Sequence, residues 1–539
     1  MTVPTNLFMW ILAVLPIAVL LVLMIKCQWG ATEAAPVGLL IAVVNGLVFY
    51  KADLFLIASE SAKGIWSALV VLIIVWTAIL LYEVANEAKA FITFRKGMQK
   101  LLPNELLQVL AMGWVFVSFL MGITGFGVPV AVGAPLLVGI GVMPLWAVII
   151  PLIGHAWGTT FGTLAVAWDA LTMTTGMKPG SKLFLQTALY AALLIWIWNL
   201  ITGIATCWFY GKGKAVKKGL PAVAIISLIQ GGGEVLLTQV NTTIACFVPA
   251  CFALAAVFLI GRMKMYRDPW SMEDSPIMNR EVIKKSSDAA EGYENMNMFQ
   301  AFFPYIVLTG ITLFVLLISP VKNFLGQISF SFNFPKTATG YGFVNEAIKN
   351  YSPIAIFTHA SMFLLISSAI GLFFYKKHGW IPKGRTSAVF LRSIKKTVPS
   401  GIAVIGFIIM SKVMGGTGQT MVLAQGIANV LGRGYVVLAP VVGLLGAFMT
   451  SSTMASNILF GGFQLATAKI LNLNVAAILS AQTVGATIGN TICPSDIVLG
   501  TTTAEILGKE GEALKRILPI TLISTAVAGV ILFVMLVLI

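Results

Sequence analysis

Long apolar runs separated by short polar segments dominate this sequence. Residues 7–25, 65–81, 183–210 and 517–539 form such runs, and each approaches or exceeds the roughly 20 residues that an α-helix needs to cross a bilayer. The runs lack the strict apolar–polar alternation of strands in a membrane barrel. The pattern therefore predicts an all-α polytopic membrane protein with roughly 12 to 14 membrane segments.

Two apolar regions are interrupted by small and hydroxyl-bearing residues at matching positions. Residues 124–127 read Thr-Gly-Phe-Gly and residues 451–454 read Ser-Ser-Thr-Met, and their separation is 451 − 124 = 327. Further along, residues 158–163 and 485–490 keep that separation, since 485 − 158 = 327. Matched breaks in two halves of a membrane chain indicate a substrate site built from discontinuous helices near the midplane.

The same separation carries basic loops onto loops that are not basic. The basic segment 84–105 maps onto 411–432, and the near-neutral segment 50–64 maps onto the basic segment 377–391. Because Lys and Arg collect on the cytoplasmic side, this exchange predicts two repeats of inverted topology. The predicted parts are an N-terminal transmembrane repeat, connector helices with a polar cytoplasmic loop, and an inverted C-terminal transmembrane repeat, at residues 1–210, 211–299 and 300–539. Small residues that merely let helices pack closely are the alternative.

Composition strengthens the membrane prediction and removes other classes of protein. Hydrophobic residues make up 58% of the 539 residues and charged residues only 10%, which is too little charge to cover a soluble protein of this size. The net charge of +15 is carried largely by short loops beside apolar runs. This arrangement follows the positive-inside rule and does not indicate a nucleic-acid partner. Residues 262–294, which are polar and mixed in charge, are predicted to form a solvated linker.

Signatures of enzymes and metal sites are missing from the sequence. The five cysteines lack the spacing of a metal site and are expected to pack as small apolar residues. The chain contains no HExxH sequence, no P-loop and no nucleophile elbow, so we expect neither an enzyme, nor a nucleotide-driven pump, nor a bound cofactor.

The two breaks supply groups that suit a carboxylate ligand. Residues 122–129 hold three glycines and a proline, and a helix break there frees backbone N–H groups that a bound anion can satisfy. Residues 450–457 hold five hydroxyl side chains and the amide of Asn457. Such groups can bond a carboxylate or hydroxyl, or offer oxygen atoms to Na⁺. Tight packing turns, and hydroxyls that bond back to their own helix, are the alternatives.

A second break in each half adds a histidine and a glutamine. Residues 154–160 contain His155, and the equivalent position in residues 481–487 is Gln482. From both pairs of breaks, the predicted substrate-binding residues are Thr124, Gly125, Phe126, Gly127, His155, Thr159, Thr160, Ser451, Ser452, Thr453, Asn457, Gln482 and Asn490.

Few ionisable residues fall inside the apolar runs, and such residues are functional candidates by default. Asp169 and Asp496 are equivalent by the same separation, since 496 − 169 = 327. Together with His155, which can carry a proton, they are the predicted ion-coupling residues. Helix capping by the two aspartates, and simple packing of the histidine, are the alternatives.

These motifs resemble the L-lactate permease family of bacterial lactate and glycolate transporters. The matching stretches, which lie in both halves of the chain, are residues 122–132, 134–139, 154–162, 456–460, 494–495 and 508–511. The resemblance covers most of the chain. It implies a secondary carrier of 2-hydroxy monocarboxylates, coupled to protons, in the cytoplasmic membrane of a prokaryote.

The sequence departs from the family pattern at two positions that are charged in many members. Thr453 stands where many members have an acidic residue, and Asn490 stands where many have a lysine. The joint loss keeps the region neutral, as expected of a charged pair. It argues against a direct carry-over of the family's proton coupling.

Two transport hypotheses follow from the residues and the resemblance. The first is a proton-coupled symporter of L-lactate, glycolate or D-lactate that works by alternating access, with the paired broken elements moving together. The alternative is a Na⁺-coupled transporter of a different organic anion, favoured by the hydroxyl-rich breaks and the two missing charges. A channel and a membrane enzyme are the remaining classes. The expected partners are the carboxylate, the coupling ion and the lipid bilayer, and the oligomeric state, a homo-oligomer included, is left open.

Overall fold

The architecture is that of a helical membrane protein with several short, discontinuous helices. The computed structural model describes residues 3–27, 29, 31–125, 127–280, 295–506 and 508–538. The helices up to the connector, α1 to α10 in chain order, are Leu7–Leu21, Ala31–Val48, Leu54–Glu87, Ala90–Leu101, Glu105–Thr124, Val128–Val138, Pro144–Ala156, Gly162–Thr175, Lys182–Thr238 and Phe247–Gly261. The helices that follow, α11 to α21, are Met298–Ala301, Phe303–Leu317, Ser319–Leu325, Ala360–Lys377, Thr386–Gly416, Gln419–Leu431, Tyr435–Thr450, Thr453–Ile470, Val475–Gly489, Pro494–Thr503 and Glu510–Leu538.

The predicted all-α polytopic class is confirmed. Within the described residues, nine helical stretches are long and apolar enough to cross a membrane, and α12 with α13 forms a further pair bent by 90°. Four shorter apolar helices, including α6 and α7, add partial segments. The short helices α6 and α7 lie beside the breaks that the sequence predicted, because lipid tolerates free backbone groups only where they face protein or a cavity.

Polar side chains fix the starts of several of these helices. The side-chain oxygens of Asp53 and Asn104 accept hydrogen bonds from the backbone N–H groups of Leu56 and Leu107, at 2.7 and 3.0 Å. Ser452 does the same for Ala455 at 3.3 Å. Each bond satisfies one of the N–H groups that a helix start leaves without a partner.

The order of elements in the first half recurs in the second. Helix α3 spans Leu54–Glu87, and α15 spans Thr386–Gly416. Adding 327 to the ends of α3 gives 381 and 414, close to the ends of α15. Helices α2 and α4 to α8 correspond in the same way to α14 and α16 to α20, and the first part of α9 corresponds to α21.

Contacts between the halves occur in exchanged pairs. Helix α3 packs along its equivalent α15, and both α2 with α15 and α14 with α3 are in contact. Likewise α8 contacts α18, and α20 contacts α6. Such exchanged contacts are what a two-fold relation between two similar halves produces.

A small β-structured segment, which the sequence did not lead us to expect, joins α13 to α14. Strands β1 (Ser329–Phe334) and β4 (Ile348–Ala355) pair antiparallel, and the short strands β2 (Thr337–Ala338) and β3 (Val344–Asn345) pair between them. Aromatic and β-branched residues recur along β1 and β4, which suits a pleated surface. The segment lies outside the predicted helices and does not alter the helical class.

Residues 262–280 dock on the helix ends around them, which differs from the predicted solvated linker; residues 281–294 lie outside the described residues. Both terminal nitrogens of Arg280 donate to Glu105 at the start of α5, at 2.6 and 3.0 Å. The backbone N–H of Met143, in the turn between α6 and α7, donates to the carbonyl of Ile277 at 2.7 Å. We call residues 262–280 the strap, because they tie α5 to that turn. Glu105, through its hydrogen bonds and charge, raises the pKa of Arg280.

Candidate functional site

A polar cavity lies where the breaks of the two halves meet. About 410 Å³ of space, counting the part open to solvent, is free of protein atoms there. Its walls come from α5, the region of α7 and α8, and the segment around the start of α18. The lining residues are Met121, His155, Thr159, Gly162, Thr163, Val166, Ala167, Ser451, Ser452, Thr453, Met454, Asn490 and Asp496.

The start of α18 faces this cavity. Ser451 adopts a left-handed backbone conformation with φ of 53°, and Ser452 then caps the helix. Thr453 and Met454, the first two helical residues, both line the cavity. Their N–H groups have no partner within the helix, and the positive end of the helix dipole lies beside them. The arrangement suits a negatively charged group such as a carboxylate.

His155 is buried and surrounded by oxygen atoms. Its Nδ1 lies 2.7 Å from the carbonyl oxygen of Pro151, and its Nε2 lies 3.1 Å from Oδ1 of Asn490. The same Nε2 lies 3.7 Å from a carboxylate oxygen of Asp496. With Asn490 oriented in this way, both ring nitrogens face oxygen atoms that can accept a hydrogen bond.

A network of threonine hydroxyls joins the two halves beside the cavity. The hydroxyl of Thr453 donates to that of Thr159 at 2.8 Å. The hydroxyls of Thr160 and Thr487 lie 2.6 Å apart, and those of Thr160 and Thr483 lie 2.8 Å apart. All are buried. These hydrogen bonds satisfy buried polar groups that would otherwise have no partners among lipid and apolar side chains.

The start of α8 contains three consecutive left-handed residues. Thr163, Leu164 and Ala165 have φ values of 48°, 54° and 67°. None of them is glycine, and each such residue costs roughly 1–2 kcal/mol. The Oγ1 of Thr163 accepts a hydrogen bond from the N–H of Gly125 at 2.8 Å, which ties this turn to the break after α5. Strain of this kind is concentrated at functional sites.

Gly127 shapes the approach to Asp496. Its φ is 78°, a conformation that favours glycine. A Cβ at this position would lie 2.7 Å from Cδ2 of Leu499 and 3.0 Å from Oδ1 of Asp496. Glycine is therefore needed here both for the backbone conformation and for the close approach of α20.

Seven of the predicted residues line the cavity. They are His155, Thr159, Ser451, Ser452, Thr453, Asn490 and Asp496. Gly125, Gly127 and Thr160 contact lining residues or their neighbours without lining the cavity themselves. Phe126 lies outside the described residues.

Four other predicted residues lie farther out. The hydroxyl of Thr124 bonds back to the carbonyl of Leu120. The amide nitrogen of Asn457 donates to the carbonyl oxygen of the lining residue Ala167 and to the Thr483 hydroxyl. Gln482 bonds Ser456 behind the cavity. Asp169 lies within α8, four residues after the left-handed Ala165, and does not line the cavity, whereas Asp496 occupies the first turn of α20.

The sequence reasoning missed several lining residues. They are Met121, Gly162, Thr163, Val166, Ala167 and Met454. Gly162 and Thr163 belong to the repeated motif at residues 158–163, so that motif could have predicted them. The apolar ones carry no signal of their own, since apolar residues are the background of a membrane chain.

Both positions where the sequence departs from the family pattern line the cavity. Thr453 bonds Thr159 and also donates to the carbonyl of Ala486 at 3.2 Å. Asn490 lies one helical turn after Ala486 and faces His155. The two neutral residues are therefore close to each other, as a charged pair at the same positions would be.

The comparisons with known proteins agree with this architecture. Residues 9–539 match the family model described as L-lactate permease. The chain is 24% identical to a putative L-lactate permease of Haemophilus influenzae, with 97% of each chain covered. It is 25% identical to the glycolate permease of Escherichia coli, with 97% of this chain and 94% of that protein covered. It is 23% identical to an L-lactate permease of Halalkalibacterium halodurans, with 94% and 93% covered.

A solved structure of the YdaH transporter from Alcanivorax borkumensis also shows similarity. It is 14% identical, with a TM-score of 0.44, and the match covers 86% of this chain and 84% of that one.

A chain of apolar helices whose breaks enclose a polar cavity is a multi-pass membrane transporter of the cytoplasmic membrane. The family match covers nearly the whole chain. The chain belongs to the L-lactate permease family.

Proposed function

We propose that this chain is a proton-coupled symporter of L-lactate or a related 2-hydroxy monocarboxylate, such as glycolate or D-lactate, and that it works by alternating access. The observation that carries the proposal is the cavity between the two halves. It combines a helix start that suits a carboxylate with a histidine beside an aspartate. The names of the relatives, which are lactate and glycolate permeases, support the class of substrate.

The carboxylate of the substrate would bind at the start of α18. The free N–H groups of Thr453 and Met454 and the local dipole favour a negative charge there. The hydroxyls of Thr159 and Ser452 lie in the same cavity. They can bond the 2-hydroxyl group, which distinguishes lactate and glycolate from simple fatty acids.

The proton would be held by His155 with help from Asp496. The imidazole lies against the cavity and 3.7 Å from the carboxylate. A carboxylate substrate that enters beside it adds negative charge and therefore favours a protonated ring. This relation makes binding of the anion and of the proton mutually favourable, which is what symport requires. Asp169, the equivalent of Asp496, lies away from the cavity and is a weaker candidate for coupling.

The motion would be a displacement of the broken elements relative to the long pair α3 and α15. The residues support two inverted repeats, because the order of elements recurs, the contacts between the halves are exchanged, and the basic loops swap sides. Inverted repeats commonly give the two states of a carrier by exchanging the conformations of their halves.

The deciding experiment is uptake of labelled L-lactate into proteoliposomes that contain the purified protein. An imposed inward proton gradient should drive accumulation above the external concentration, while an equal Na⁺ gradient should not. Accumulation with Na⁺ alone would favour the Na⁺-coupled alternative. Equilibration without accumulation under either gradient would contradict a coupled carrier and indicate a channel. Competition by unlabelled glycolate, D-lactate and acetate then ranks the substrates.

A further inference from the structure

A second buried polar region lies in the connector, outside the cavity. Helix α9 changes from α to π geometry at Leu228–Gly232, and Glu234 follows directly. Glu234 is completely buried, and neither of its carboxyl oxygens has a hydrogen-bond partner among the described residues. No other buried Asp or Glu in the described part of the chain lacks partners on both oxygens. Single π segments inside α-helices often occur at functional sites.

Glu234 stands at one end of a row of buried polar side chains. Ser227, Gln230 and Glu234 are spaced by three and four residues, which places them along one face of α9. Asn199, from the first part of the same helix, donates to Oε1 of Gln230 at 2.9 Å. The hydroxyl of Ser227, the amide nitrogen of Gln230 and the amide oxygen of Asn199 are buried and without partners among the described residues. Such groups in an apolar bundle call for water molecules that bridge them.

The segment that carries Glu234 lies near the wall of the cavity. The turn Thr242–Ile244 contacts both that segment, Gly233–Thr238, and α8. Cys246 follows this turn, and a Cβ on Gly158 would lie 2.8 Å from its Sγ. Gly158 donates its N–H to the carbonyl of His155 and precedes Thr159, which lines the cavity. The turn Thr242–Ile244 and Cys246 therefore connect the segment of Glu234 with the turn that carries His155.

The surroundings of Glu234 suit a neutral carboxylic acid better than a carboxylate. Residues 242–261, which pack on this segment, carry two titratable side chains, the thiols of Cys246 and Cys251. Among the described residues no Lys, Arg or His forms an ion pair with it. An ionised carboxylate without a cation or hydrogen-bond donors is very costly in such a place. Holding a proton and releasing it only when conditions change is a role that fits this group.

We propose that Glu234 is a proton-binding site of the carrier, distinct from the substrate cavity, that exchanges its proton with water held along the row of Ser227, Gln230 and Asn199. The O–H bond of the carboxyl breaks when the proton leaves to that water, and it re-forms when a proton returns. This inference rests on the proton-coupled function proposed above.

The test compares two assays on variants in proteoliposomes. The first is exchange of labelled for unlabelled L-lactate at equal pH on both sides, which needs no net proton movement. The second is accumulation driven by an inward proton gradient. Glu234→Gln keeps the shape of the side chain but cannot release a proton. The rate of lactate exchange should stay within about twofold of the wild type. The accumulation driven by the proton gradient should fall at least about tenfold, which corresponds to roughly 1.4 kcal/mol in driving free energy. Glu234→Asp should recover part of the accumulation.

A matched control and a direct readout separate the outcomes. Thr312→Val removes another buried hydroxyl that lacks a partner among the described residues and should change neither assay. Accumulation by Glu234→Gln that equals the wild type overturns the proposal. If that variant loses exchange as well, infrared spectra decide. A protonated-carboxyl band that is present in the wild type, absent from Glu234→Gln and shifted in Glu234→Asp supports the site, and a wild-type spectrum without it overturns the site. Failure of the wild type to accumulate lactate with a proton gradient instead contradicts the proposed coupling, and the infrared band still tests Glu234 by itself.

Discussion

The hydroxyl oxygens of Thr160 and Thr487 lie 2.6 Å apart, and the two residues are separated by 327 positions. That separation is the one that relates the breaks of the two halves. In the proposed pair of inverted repeats, a residue in contact with its own equivalent would lie at the axis that relates the halves, as in a two-fold dimer interface. The two broken elements therefore meet each other directly at this point.

Cross-linking this pair tests whether the broken elements move together. In a background in which the five native cysteines are replaced by alanine, we expect Thr160→Cys with Thr487→Cys to keep most of its lactate exchange after oxidation. The reason is that the two residues belong to elements that the proposed motion carries as one body. The measurement is exchange in proteoliposomes before and after oxidation, with cross-linking checked by mass spectrometry.

A second pair gives the contrasting case. The hydroxyl of Ser411, on the long helix α15, donates to the carbonyl of Ile458 on α18 at 2.7 Å. A short bifunctional thiol reagent on Ser411→Cys with Ile458→Cys should stop exchange, because it ties a moving element to a static one. Arrest by the first cross-link and free exchange with the second would contradict this division of the molecule.

Substitution of Gly127 tests the close approach between the break and Asp496. The Cβ of Gly127→Ala would meet Leu499 and Asp496 at 2.7 and 3.0 Å, so it should displace Asp496 from His155. Because displacements of about 1 Å at a site can cost up to about a hundredfold in activity, we expect lactate transport to fall at least about tenfold. Initial rates of uptake, normalised to the protein in the vesicles, measure the effect.

Gly176 provides the matched control for that substitution. It ends α8 with φ of 70°, and a Cβ there would meet no atom within 4 Å. Gly176→Ala therefore carries the backbone strain, about 1 kcal/mol, without the contact at the cavity. We expect a similar change in Tm for the two variants and a loss of transport in Gly127→Ala alone. Equal transport by both variants would mean that the position of Asp496 does not matter.

The strap predicts a stability effect at the helix ends that it joins. Arg280→Ala removes two charged hydrogen bonds to Glu105 and leaves that half-buried carboxylate without its cation. A hydrogen bond to a charged group contributes about 1.5–3 kcal/mol, and the partial exposure of Arg280 weakens both bonds. We therefore expect the free energy of unfolding to fall by about 2 kcal/mol in total. Thermal unfolding of the purified protein in detergent, read as Tm, measures the loss.

The control and the pH dependence of this effect follow from the same pair. Arg267 lies 3.7 Å from Asp268, and both side chains are exposed, so Arg267→Ala should change stability by less than about 1 kcal/mol.

Glu105 raises the pKa of Arg280 above its ordinary value. A raised pKa of a cation means that its contribution to stability is fully present below the unfolded pKa of arginine, which lies far above neutrality, and is lost only as the pH rises through the folded pKa. The difference between the two variants should therefore persist unchanged on the alkaline side of neutrality, and its disappearance there would contradict the pairing.

Much of the fold was predictable because a membrane limits the choices. The apolar runs predict the helical class, and the separation of 327 residues predicts a break in each half from the sequence alone. Seven predicted residues line the cavity because small and hydroxyl-bearing residues interrupt apolar runs only where backbone groups need partners. Periodicity could not have located them, since nearly every face of these helices is apolar.

The missed features depend on contacts between distant parts of the chain. The left-handed turn consists of Thr163, Leu164 and Ala165, and none of these residues is a glycine that would predict such a turn from the sequence. The surrounding packing stabilises its conformation. The docking of the strap depends on Arg280 finding Glu105, 175 positions away in the sequence. Asp169 and Asp496 looked equivalent in sequence, yet Asp496 alone lines the cavity. The corresponding helices α8 and α20 begin differently, and this difference turns their aspartates to different neighbours.

The two neutral positions in the cavity predict a compensating pair of substitutions. Thr453→Asp or Asn490→Lys alone places one unpaired charge in a buried site, which costs roughly 2.5–3.5 kcal/mol in a membrane segment. Each single variant should therefore have a lower Tm and a lower rate of lactate transport than the wild type. The double variant places opposite charges on neighbouring residues of the same cavity. It should be more stable than either single variant and should recover transport, because the charges can pair.

The neutral double variant Thr453→Asn with Asn490→Gln is the control, because it changes the size of both side chains without adding charge. Recovery in the charged pair that exceeds the sum of the single effects by at least about 1 kcal/mol in unfolding free energy would demonstrate direct coupling of the two positions. Additive losses would place the two side chains too far apart to interact and would contradict their joint position in the cavity. The proton-gradient assay on the same double variant then shows whether the added charges change the coupling, since a new carboxylate beside His155 gives the proton a second place to bind.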